Sequence, residues 1–151
     1  MTSPAKGEAL QREAMERQRR EMMVPASAKR ILLVDDNPDL AQSLKELLEL
    51  EGHQVATVTE PLAALELARK APPQICILDI ELPIMDGYEL AKRLRELPTT
   101  KDAMFIALTG YGWDHDPRRS LEAGFAHHLV KPVDTTRLTQ IVAGGSSVTD
   151  R

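Results

Sequence analysis

The chain has a single cysteine, Cys76, so no disulfide braces its fold internally. That thiol lies in the apolar run QICIL, which predicts a buried, inert cysteine rather than a reactive one. Aromatic residues make up only 3% of the sequence, so the core must be built from Leu, Ile, Val and Ala. No apolar run is long enough to span a bilayer, and the N-terminus lacks the apolar core of a signal peptide. A cytoplasmic location without a membrane partner is therefore expected. A basic excess is also missing. Residues 31–151 carry twelve Lys/Arg against nineteen Asp/Glu, which argues against DNA binding by that part.

What is present is regular. The first 28 residues stand apart: GEALQREAMERQRREMM is rich in helix formers with charges of both signs and predicts a helix from about Glu8 to Met23. Its apolar stripe of Leu10, Ala14 and Met22–Met23 is weak. It suits either a solvated tail or a helix that dimerises or docks a partner. After the linker VPASA, residues 29–143 read as one domain, and residues 144–151 as a flexible tail.

Within that domain strands and helices alternate five times. RILLVD, HQVATVT, QICILD, AMFIALT and AHHLVK read as strands. Between and after them come helices: one capped by Asn37 with Pro38 at its first position, one opened by Pro61, and one carrying Leu90, Leu94 and Leu97 in line. The last two are capped by Asp116 and Asp134. Such alternation implies a parallel sheet with helices on both faces. In that architecture ligands bind along the edge formed by the carboxyl ends of the strands.

The strand ends carry the chemistry. The first ends in Asp35-Asp36, the third in Asp79, the fourth in Thr109 and the fifth in Lys131. One aspartate alone would be read as a helix cap. Three carboxylates, a hydroxyl and an ammonium on one rim are different. The carboxylates repel one another unless a cation sits among them. Hard oxygen ligands in small number suit Mg2+, which shares its coordination sphere with phosphate oxygens.

The motifs LLVDDN, ILDIELPIMDGYEL, ALTGYG and HLVKPVD, spread over about residues 30–143, resemble the receiver domain of two-component response regulators and hybrid histidine kinases. The resemblance implies a flavodoxin-like α/β fold, with a doubly wound five-stranded sheet in order 2-1-3-4-5 and five helices beside the N-terminal extension. It implies Asp79 as phosphoacceptor for a histidine kinase or phosphotransfer protein. Mg2+ would be held by Asp35, Asp36, Asp79 and the Glu81 backbone carbonyl. Lys131 and Thr109 would meet the phosphoryl oxygens, and the Lys131–Pro132 bond would be cis. Thr109 and the residue three before the lysine would form the switch. That residue is His128 here, where the family carries an aromatic. Glu81 and Tyr111 would tune phosphoryl lifetime, and Asp86 would serve as a turn and cap residue.

The output expected is protein contact, through the surface of the domain's fourth helix, fifth strand and fifth helix. Dimerisation through that face or the N-terminal helix is also open. Both a stand-alone receiver and the receiver of a hybrid kinase fit. Two competing readings are weaker. An aspartate-nucleophile phosphatase needs a second catalytic carboxylate, for which Glu81 is a poor match, and a cap segment. A phosphorylation-independent interaction module is opposed by the intact set of Asp35, Asp36, Asp79, Thr109 and Lys131.

Overall fold

The structure, a computed structural model, describes residues 7–15, 28–110 and 117–144. Residues 7–15 form helix α1, exposed along its length. The remainder of the expected extension helix, through Met23, lies outside the described residues, as do Tyr111 and Asp116.

The five βα units follow in order: β1 (Arg30–Val34), α2 (Pro38–Leu50), β2 (Gln54–Val58), α3 (Pro61–Lys70), β3 (Ile75–Asp79), α4 (Gly87–Glu96), β4 (Met104–Thr109), α5 (Pro117–Ala123), β5 (Phe125–Val130) and α6 (Thr135–Val142). All pairings are parallel and the sheet order is β2-β1-β3-β4-β5. This is the flavodoxin-like arrangement expected.

Short polar residues start the helices. Asn37 Oδ1 accepts the backbone N–H groups of Asp39 and Leu40, at 3.1 and 3.3 Å, with Pro38 at the first helical position. Asp86 caps α4 by accepting the Glu89 N–H at 2.9 Å, and Asp134 caps α6 by accepting the Arg137 N–H at 3.1 Å. Each satisfies an N–H that the helix itself cannot. The Lys131–Pro132 bond is cis.

Alternate strand residues face two different cores. Leu32, Val34, Cys76, Leu78 and Phe105 pack with Leu65, Leu90 and Leu94 under α3, α4 and α5. Ile31, Leu33, Ile77, Ile106 and Leu108 pack with Leu44, Leu48, Leu138 and Ile141 under α2 and α6. Burial of each such Leu or Ile stabilises the fold by about 1.5–3 kcal/mol. Cys76 is fully buried, and desolvation pushes its thiol up to about 12, as an inert core residue requires.

Strand β5 differs from its sequence reading in one respect. It begins at Phe125 and its pairing with β4 shifts register, so that Phe105 meets Phe125 and Ile106 meets His127. The extra residue, Ala126, lets Phe125 and His128 occupy one face while His127 and Leu129 occupy the other. The two adjacent histidines thus point to opposite sides of the sheet.

Candidate functional site

The registers place the strand ends level: Val34 beside Leu78, Asp79 beside Leu108, and Thr109 beside Val130. Asp35, Asp79, Thr109 and Lys131 therefore share one rim. Asp35 is fully buried, and its Oδ1 accepts the Asn37 N–H at 2.9 Å. Asp79 is 2% exposed, and its Oδ1 accepts the Glu81 N–H at 2.9 Å. Each carboxylate is thus aimed by a backbone N–H two residues on. Asp36 is exposed, yet ligand oxygens of Asp35, Asp36 and Asp79 all lie within 4.8 Å of one another.

Lys131 joins the group from β5. Its Nζ lies 2.9 Å from Asp35 Oδ2 and 3.3 Å from Asp79 Oδ2, and its backbone N–H donates to the Thr109 carbonyl at 2.7 Å. Burial alone would lower the lysine's pKa, but the bond to Asp35 and the charges of Asp79 and Asp35 outweigh it and raise it. Asp79 moves the other way from an ordinary carboxyl. Desolvation, with the Asp35 charge adding to it, pushes it up to about 6 against the pull of the Glu81 N–H and Lys131. Three carboxylates and one ammonium leave an acidic, oxygen-lined cluster whose hard donors match a small divalent cation. Thr109 completes the set: its Oγ1 is buried without a hydrogen-bond partner among the described residues. Such a hydroxyl is costly unless something meets it.

The loop after Asp79 is shaped by close approach. The Gly87 N–H donates to the Ile80 carbonyl at 2.9 Å, and a Cβ on Gly87 would overlap the Asp79 carbonyl oxygen and sit 2.8 Å from Ile80 Cα. Only glycine lets α4 begin there. Glu81 turns its carboxylate toward Gly110, where an added Cβ would lie 3.1 Å from Oε1.

His128 is half-buried rather than lying free on the surface. Its Nε2 is hydrogen-bonded to Ser120 Oγ of α5, and its ring centroid is 5.7 Å from that of Phe125. The next α5 residue back, Arg119, donates to Asp86 Oδ2 at 2.8 Å and stacks 4.3 Å over the Tyr88 ring. Burial of Asp86 acts to raise its pKa, but the Glu89 N–H and Arg119 hold the carboxyl below its usual range. The sequence reading did not single out Arg119 or Ser120, and it named Gly110 only as the neighbour of Thr109 at the strand end. Nothing in their local spacing marks them.

A cleft of about 170 Å³ lies between β2 and α3, lined by Ile31, Val55, Leu67 and Ala68 among others. It contains no carboxylate and lies away from the rim, so on chemical grounds the rim is the candidate site.

The family description "Response regulator receiver domain" matches residues 31–143. A 14.6 kDa protein of the sodA1 3′ region of Leptolyngbya boryana is 40% identical over 112 residues, covering 74% of this chain and 86% of that protein. The response regulator PleD of Caulobacter vibrioides is 33% identical over 109 residues, covering 72% of this chain but only 24% of PleD. Among solved structures, a CheY-like receiver domain from Methylobacillus flagellatus superimposes with a TM-score of 0.71 at 32% identity, covering 78% of this chain and 98% of that one. A matched span that takes in every strand and the whole acidic rim assigns the chain to the response regulator receiver domain family.

Proposed function

We propose that the chain is a phosphorylation-controlled switch of a two-component phosphorelay, with Asp79 as the phosphoacceptor. The observation that carries this reading is the Lys131 ammonium set between two buried carboxylates, on the rim where the buried Thr109 hydroxyl has no hydrogen-bond partner among the described residues. Asp35, Asp36, Asp79 and the backbone carbonyl of Glu81 would hold Mg2+, which when bound offsets negative charge on phosphoryl oxygens.

Asp79 is held rigidly by β3 and the Glu81 N–H, which suits in-line attack. One Asp79 oxygen forms the new P–O bond as the P–N bond of a phosphohistidine breaks, and the electron pair leaves on the imidazole nitrogen. Lys131 releases Asp79 and pairs with a phosphoryl oxygen as a compact point charge. Thr109 gives its hydroxyl to another oxygen, and β4 carries that movement toward α5. His128 rotates with it, exchanging its Ser120 partner. The surface of α5, β5 and α6 then changes for a downstream protein, in the cytoplasm. Dimerisation through that face or through α1 belongs to the same reading. Glu81 and Tyr111 set the lifetime of the phosphoryl group in this reading.

The test is incubation with Mg2+ and a small phosphodonor, followed by intact-mass measurement. Wild type is expected to gain one phosphoryl group stoichiometrically and Asp79→Asn none, with NMR shifts centred on Thr109. Equal labelling of the amide variant would sink the assignment, and sustained turnover of phosphate esters would favour an enzyme instead.

A further inference from the structure

Ile84 combines two features that oppose each other. Its φ is 71°, the one positive value at a non-glycine position among the described residues, and its side chain is 93% exposed. The Met85 N–H donates to the Pro83 carbonyl at 2.7 Å, so Ile84 is the centre of a three-residue turn. A turn of this kind with positive central φ is rare and strained. A β-branched side chain fits it worst, and glycine or asparagine would relieve it. Little burial offsets the strain, because the side chain is almost wholly exposed. Its neighbours do pack: Leu82 is 8% exposed, Met85 lies against the core under α3 to α5, and Asp86 caps α4. The loop is thus pinned on both sides and presents Ile84 as a fixed apolar knob. Strain retained where the fold gains nothing points to a contact outside the chain.

The position identifies the contact. The loop springs directly from Asp79, and Ile84 is its tip. This step rests on Asp79 being the acceptor. A protein donor must bring its phosphohistidine to within about 3–3.5 Å of the Asp79 oxygen before the P–O bond forms. The donor surface around that histidine then lies against the rim and its loops. The rim itself offers carboxylates and an ammonium. We infer that Ile84 is the docking anchor for the protein phosphodonor, seated in an apolar patch beside the donor's phosphohistidine. The turn holds the side chain in place before contact, so little entropy is lost on docking. A small donor has no such surface and reaches Asp79 without touching Ile84.

The experiment delivers one bond in two ways. Wild type, Ile84→Val, Ile84→Gly and Ile84→Asn are phosphorylated with Mg2+ by phosphoramidate, a small P–N donor. The same proteins then receive phosphate from a purified phosphohistidine phosphotransfer domain, selected because it labels the wild-type chain. Phosphoramidate rates are expected to agree within about twofold, while KM for the protein donor rises about tenfold in the Gly and Asn variants and stays near wild type in Val. Equal transfer from the protein donor to all four proteins overturns the anchor. A matching loss with phosphoramidate overturns it too, because Ile84 would then act on the chemistry. Failure of phosphoramidate to label wild type overturns instead the acceptor reading on which the anchor rests.

Discussion

Ser120 Oγ of α5 and His128 Nε2 of β5 are hydrogen-bonded to each other, so the strand residue three before Lys131 is tied to the helix that covers it. If His128 reports phosphorylation to the surface, this bond is what must exchange. Ser120→Ala is expected to raise hydrogen exchange of the α5 amides about fivefold or more, corresponding to the loss of about 1 kcal/mol of local stability. Phosphorylation by phosphoramidate should stay near the wild-type rate. His128→Ala should likewise alter partner output more than labelling. Parallel loss of exchange protection and labelling would refute a role confined to the switch.

Asp79 carries a stability cost that depends on pH. Burial raises its pKa from 3.8 to about 6, so the folded state holds this proton more tightly than the unfolded chain. Below pH 4 both states are protonated and the cost is absent. Between about 4 and 6 the unfolded state ionises first, and stability falls as pH rises through the folded value. Two pH units correspond to about 3 kcal/mol at most. In metal-free buffer at pH 8, Asp79→Asn should therefore be more stable than wild type by about 2 kcal/mol, with the gap closing toward pH 4. Urea unfolding at both pH values measures it. A gap that does not change with pH would count against the burial argument.

Glu81 rests its carboxylate against Gly110. If Glu81 orients the water that hydrolyses a phosphorylated Asp79, Glu81→Ala should lengthen the phosphoryl half-life by about threefold or more. Gly110→Ala crowds Oε1 and should move the half-life in the same direction, with no further change when added to Glu81→Ala. Decay of the labelled protein followed by mass gives all four values. Identical half-lives would end the idea.

Gly87, the first residue of α4, lies against the backbone at the end of β3. A methyl group there would strike backbone, which cannot swing aside as a side-chain tip can. Gly87→Ala should cost about 2–3 kcal/mol in urea unfolding and slow labelling of Asp79, since the loop that aims Glu81 N–H must shift. An unchanged midpoint would contradict the contact.

The periodic Leu, Ile and Val runs determined the strands and helices, because a chain buried on both faces of a sheet leaves little freedom of register. The capping residues Asn37, Asp86 and Asp134 were legible for a local reason: each serves an N–H two or three residues away. The rim was legible because strand ends in a parallel sheet must share an edge. Tertiary structure alone decided the remainder. Ser120 meets His128, Arg119 meets Asp86, and Glu81 meets Gly110 across distances in sequence that no local pattern encodes. The Ala126 irregularity that brings Phe125 and His128 to one face arises from fitting β5 against β4. Ile84 read as an ordinary loop residue until its backbone angle was known, since strain belongs to a conformation and not to a residue type.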